Sequence, residues 1–349
     1  MFKRSTSLVQ TLCVAVTATL PLLASAQQKI TVAMYGGNWG DAFKACVAEP
    51  FTKASGIEVV PEIGNSTTTL SKLQQQKAAP TIDAAWLDGG ISELANAAGV
   101  VDHLDSRSIA NMKQVSPRAI YRSGETTYAV GTGYYSLGLT YNTAQVKQPP
   151  TSWRDLWKPE YAGAVAIPAP ANSAGVPFVL FMAKVLGADP SNLDPVYGRL
   201  AALDAALLYD SSGAATNAFQ RGEAVIGAHF NVGAWDLIDK GMPIGFVVPK
   251  EGVWATDARL HLVKGSRNKA AAERFINTAL TTEAAGCLAT RLYLGPSVLN
   301  VKVAPDVARK LPWGVNGSVD KLNLFDWSDV NARRPEIVDA WNRRVVQKR

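Results

Sequence analysis

The chain has 349 residues, more than one compact core usually holds, so two domains are expected. Hydrophobic residues are 47% and charged residues 18%, with 35 Lys and Arg against 29 Asp and Glu. This balance excludes a disordered chain, a collagen, a coiled coil and a polytopic membrane protein.

The only long apolar run is at the start. Lys3 and Arg4 precede the stretch from Leu8 to Leu23, and Ala24-Ser25-Ala26 follows as a small-residue cleavage site. The pattern predicts a secretory signal peptide over 1–26 and an exported mature chain. Cys13 lacks the small preceding residues of a lipoprotein signal. Two cysteines remain, Cys46 and Cys287. In an oxidising compartment they are either a disulfide or two buried thiols, and the residues alone leave both open. His103, His229 and His261 have no close spacing to each other or to a cysteine, so no metal site is expected.

The mature chain opens with alternating strands and helices. Strands are predicted at 30–34, 57–60 and 82–87, and helices at 41–54, 66–79 and 91–98. In the first helix Phe43, Val47 and Phe51 share one face, and Gly56 suits a left-handed C-cap. The order implies a largely parallel sheet with helices on both faces. A long β-rich segment at 128–141 then breaks the pattern. Beyond it the expectations are strands at 165–167, 225–229, 245–248 and 258–263. Helices are expected at 176–186, 193–208, 217–221, 234–240 and 269–280. The basic C-terminal stretch from Asn331 to Arg349 reads as an amphipathic helix with Ile337, Trp341 and Val345 inward, not as a nucleic-acid surface. No flexible Ser/Gly linker separates the two α/β units, so structured crossings and a cleft between lobes are expected.

Catalytic and cofactor signatures are missing: there is no phosphate-binding GxxxxGK[ST], no HExxH and no CxxC. Ala171-Asn-Ser173-Ala-Gly175 approaches a nucleophile elbow, which leaves an exported serine hydrolase using Ser173 as one alternative. The preferred reading is a turn that receives a polar ligand group on its N–H donors. Aromatic residues gather beside turns at strand ends: Tyr35 and Trp39, Trp86-Leu-Asp88, Tyr134-Tyr135, Phe230, Trp254 near Asp257, and Tyr293. In open α/β sheets ligands bind at such strand ends, between aromatic walls with a few fixed polar groups.

Four stretches carry a family resemblance. They are Gly36-Gly-Asn-Trp39 with Pro50 to Ile57, Tyr141 through Pro149-Pro-Thr-Ser-Trp-Arg-Asp-Leu-Trp157 to Gly163, Gly222 to Asn231, and Pro249 to Gly252 with Lys264-Gly265 and 272–280. With these the chain resembles the periplasmic substrate-binding proteins of ABC importers, in the spermidine/putrescine-binding group. The resemblance implies a two-lobed α/β fold with a two-crossing hinge, each lobe a mostly parallel sheet with helices on both faces. It places the lobes at 27–137 with 258–305 and at 138–257 with 306–349. Cys46 and Cys287 then share a lobe, which favours the disulfide. It also implies a periplasmic, non-enzymatic monomer that captures a small solute, delivers it to an inner-membrane permease and uses no cofactor or nucleic acid.

Site residues carry over one by one. Trp39 matches an aromatic wall, Phe230 a second aromatic position, Asp88 a position where relatives place a hydroxyl, and Asp257 an acid that pairs with an amine. Tyr135, Trp254 and Tyr293 complete the aromatic set. Polyamine binders carry acids where this chain has Asn172-Ser173-Ala174-Gly175, so a long polyamine fits poorly. The expected solute has one amine held by Asp88 and Asp257, and a neutral or anionic end facing Asn172 and Ser173. Two alternatives keep the fold: an organic anion held by Arg122, Arg259 or Arg291, and a sensor module that docks a receptor.

Overall fold

The computed structural model describes residues 28–314 and 317–347. The expected signal peptide lies outside these residues. Among the described residues no helix is long and apolar enough to cross a membrane.

Among the described residues ten strands form one continuous sheet: β1 (Lys29–Met34), β2 (Glu58–Ile63), β3 (Ala84–Asp88), β4 (Ile120–Ser123), β5 (Thr126–Asn142), β6 (Val165–Pro168), β7 (Ala205–Tyr209), β8 (Ile226–Phe230), β9 (Ile244–Val247) and β10 (Trp254–Leu262). The order is β2-β1-β3-β10-β5-β8-β6-β7, with β4 and β9 also paired to β5. At one end β1 runs parallel to β2 and β3, and at the other β6 runs parallel to β7 and β8. Between these ends lie the antiparallel partners β5 and β10, with Trp254 opposite Leu137 and Leu260 opposite Val130. The fold is therefore two α/β lobes whose sheets are joined by a pair of crossing strands.

The local reasons are plain. Ala-Ala-Trp-Leu-Asp of β3 is buried on both faces between β1 and β10, as a continuous apolar run requires. Phe43, Val47 and Phe51 line the buried side of one helical run, Asn38–Ser55, which a π-type turn at Lys44–Ala48 interrupts. That run ends at Gly56 with φ 72°, where a side chain would be strained. Cys46 in this run is bonded to Cys287 in the helix Thr282–Leu292, with Cα atoms 5.6 Å apart.

Several element expectations change. The span 193–208 is not one helix: the helix Asp194–Ala201 stops, Asp204 turns through φ 41°, and Ala205–Tyr209 pairs as β7. The segment 217–221 is the end of a longer helix, Ser212–Gln220, capped by Ser211. The short strand β4 and the helix Thr282–Leu292 were not foreseen. The C-terminal helix starts earlier, at Trp327, and runs to Trp341, with Ile337, Trp341 and Val345 buried.

Candidate functional site

Between the parallel ends of the sheet lies a cavity of about 510 Å³. Strand ends and helix starts build it. From the first lobe come Tyr35 and Trp39 after β1, Ser66 at a helix start, and Asp88 at the end of β3. From the second come Asn172 and Ser173 after β6, Ser211 and Ser212 at the start of the helix Ser212–Gln220, and Phe230 ending β8. Tyr135 on β5 lies between them.

Asp88 is its centre. Tyr35 Oη donates to Asp88 Oδ1 at 2.5 Å, Tyr135 Oη donates to the same oxygen, and Ser173 Oγ donates to Oδ2 at 2.5 Å. The Asp88 N–H donates to Ser66 Oγ at 2.9 Å. Burial and the neighbouring carboxylate of Asp88 push both phenols well above their ordinary pKa, so they stay hydroxyl donors. Asp88 Oδ2 accepts one described bond and keeps acceptor capacity for an ammonium. The wall is aromatic: Trp39 and Tyr135 meet edge to face at 5.0 Å, as do Tyr135 and Phe230 at 4.8 Å.

The far side is neutral or mixed in charge. Asn172 Nδ2 and Asn65 Nδ2 both donate to the Asp210 carbonyl, at 3.3 and 3.5 Å. Asp236 and Lys240 also line the cavity and pair with each other at 2.7 Å. Sequence reasoning missed this pair because acid and base at i, i+4 look like an ordinary helix surface. Tyr35, noted for its place at the first strand end but not counted among the ligand contacts, also belongs to the cavity.

Six expected residues thus line one cavity: Trp39, Asp88, Tyr135, Asn172, Ser173 and Phe230. Three do not. Asp257 is a correction: its Oδ1 accepts from Arg259 Nε at 2.8 Å and its Oδ2 from Tyr121 Oη at 2.6 Å. It is 1% exposed and already paired, and burial raises its pKa against the opposing pull of Arg259. Trp254 packs behind the wall, edge to face with Phe230 at 5.9 Å. Tyr293 donates to Asp239 and carries the Lys310 ammonium over its ring at 4.5 Å.

The arginines proposed for an anion are elsewhere too. Arg259 is held by Asp257 and Glu93, Arg122 lines a separate open groove, and Arg291 is exposed at a helix end. Ser173 has no described histidine partner; His229 bonds Thr216 and His261 bonds Ser92. Among the described residues no group of His, Cys, Asp and Glu is arranged to hold a metal.

A model of the family described as bacterial extracellular solute-binding protein matches residues 47–311. The chain belongs to that family. Among relatives of this solute-binding protein, spermidine/putrescine-binding periplasmic protein 1 of Haemophilus influenzae is 27% identical, over 88% of this chain and 86% of its own. The gamma-aminobutyric acid-binding protein of Pseudomonas aeruginosa is 23% identical, over 79% and 80%. The crystal structure of an ABC transporter from Clostridium perfringens is 29% identical, covers 90% of this chain and 99% of its own, and superposes with a TM-score of 0.68.

Proposed function

We propose that this solute-binding protein is the periplasmic receptor of an ABC importer, and that its solute carries one ammonium and a polar or anionic opposite end. An ω-amino acid such as 4-aminobutyrate has this form. The observation that carries the reading is Asp88, the one carboxylate without a cationic partner among the described residues of the cavity, set among hydroxyls and aromatic faces. Each buried ammonium of a longer polyamine would need its own partner. The other acid of the cavity, Asp236, is already engaged by Lys240. Asn172, Ser211 and Ser212 offer neutral donors to the opposite end.

The lobes are assigned to 27–137 with 258–305 and to 138–257 with 306–349, consistent with the crossings β5 and β10. The names of the relatives and the signal-peptide pattern support export to the periplasm and delivery to an inner-membrane permease. Binding rather than hydrolysis is the reading because Ser173 donates to the weakly basic Asp88 carboxylate and has no described histidine beside it to take its proton.

A thermal-shift panel on residues 27–349 tests this, with 4-aminobutyrate, putrescine, spermidine, glycine betaine and succinate. Ligand at 100 times its dissociation constant adds about 2.7 kcal/mol. Stabilisation by a mono-ammonium compound, lost in Asp88→Asn, supports the reading. Stabilisation by succinate alone refutes it and turns attention to Lys240.

A further inference from the structure

The loop that carries Asp88 is held from four directions. The Asp88 N–H reaches Ser66 Oγ, the Gly89 N–H reaches the Asp257 carbonyl at 3.2 Å, and the Gly90 N–H reaches Glu93 Oε2 at 2.6 Å. The fourth hold comes from the far end of the chain. Asn331 Nδ2, in the C-terminal helix Trp327–Trp341, donates to the Gly90 carbonyl at 2.8 Å. Arg334 Nε donates to Asn331 Oδ1 at 3.0 Å and so turns the amide nitrogen toward Gly90.

Trp327 seats on the same loop. A Cβ on Gly89 would lie 2.6 Å from Trp327 Nε1, and one on Gly90 would lie 2.7 Å from Trp327 Cε3. Both glycines are what lets the indole approach the backbone. The indole also closes a series of edge-to-face contacts that starts in the cavity: Phe230 meets Trp254 at 5.9 Å, and Trp254 meets Trp327 at 6.5 Å.

The same helix packs against the helix Gly175–Leu186, which begins two residues after Ser173. Asp88 and Ser173 are the two tips that meet across the cavity. One helix therefore touches the Asp88 loop and packs on the helix that follows Ser173, without lining the cavity.

We infer that the C-terminal helix is a strap between the lobes, and that Asn331 is a positioning residue that favours the closed form by holding the Asp88 loop. The inference rests on the lobe assignment above. It requires no particular solute. Because the strap acts on the closing equilibrium and not on ligand contacts, its loss weakens every ligand by the same factor.

Pulsed electron–electron distances between labels at Lys53→Cys and Lys184→Cys read the closing equilibrium without ligand. Both sites are exposed, one in each lobe. Asn331→Ala and Asn331→Asp are compared with wild type and with Ser173→Ala, which cuts the direct link. Asp at 331 keeps the size but turns an acceptor toward the Gly90 carbonyl, so it serves even if Ala perturbs packing. The expected result is a shift to longer distances in all three variants, with unfolding still cooperative. If Ser173→Ala lengthens the distance and both Asn331 variants match wild type, the strap is overturned and the hinge stands. If no variant lengthens it, the strap is overturned, while the lobe assignment still rests on the crossings β5 and β10.

Discussion

Ser173 Oγ donates to Asp88 Oδ2 at 2.5 Å, joining residues 85 positions apart in sequence and on opposite sides of the cavity. The contact puts the one carboxylate that lacks a cationic partner, among the described residues lining the cavity, where the two lobes meet. On the proposed reading, an ammonium bound there would satisfy the carboxylate and draw both tips together, so that recognition and closure would share one group.

Asp88→Asn keeps the shape and removes the charge. Hydrogen bonds to charged groups contribute roughly 1.5–3 kcal/mol. Affinity for an ammonium ligand should fall by on the order of 100-fold, while the unfolding midpoint without ligand moves little. Calorimetric titration with denaturant unfolding checks both.

Asp257→Ala should do the reverse. The substitution leaves the Arg259 guanidinium buried with one carboxylate partner fewer. Breaking a buried pair costs about 3–5 kcal/mol. The denaturant midpoint should drop markedly, whereas the ratio of affinities for two different ligands stays as in wild type. A changed ratio would put Asp257 back among the ligand contacts.

Acid should destabilise the fold through two buried histidines. Burial lowers the pKa of His229 to about 4 and of His261 to about 3, below the unfolded value of about 6.5. As pH falls below 6.5 the unfolded chain takes up protons that the folded one refuses, so stability is lost down toward pH 4. Between pH 6.5 and 5 most carboxylates are still ionised, and the slope there reports the histidines. His229→Gln should flatten it in a pH series of melting temperatures.

The Cys46–Cys287 disulfide closes a loop of 241 residues. By loop-closure entropy it contributes about 5 kcal/mol, part of which native strain or residual structure in the unfolded chain offsets. Reductant, or Cys46→Ser with Cys287→Ser, should lower the denaturant midpoint without changing ligand selectivity.

Much of this was legible in the sequence because the signals were local. The βαβ alternation fixed the first three strands, and Trp39, Asp88, Asn172, Ser173 and Phe230 were marked by their place just beyond strands. The failures needed long-range information. Asp257 read as a ligand acid, yet Arg259 two residues on shares its strand face and pairs with it, a spacing that alternation along a buried strand could have suggested. Tyr293 caps a helix at φ 54° and finds its partner Asp239 in another element. Trp254 is packed from behind by Phe325 and Trp327, which only the fold brings close.

The most direct measurement is a calorimetric comparison of 4-aminobutyrate with butyrate and putrescine on residues 27–349, in wild type and Asp88→Asn. The expected result is tight binding of 4-aminobutyrate, weaker binding of putrescine, none of butyrate, and loss of amine binding in the variant. Butyrate binding as well as 4-aminobutyrate, or an unchanged affinity in Asp88→Asn, would contradict a site built around one ammonium.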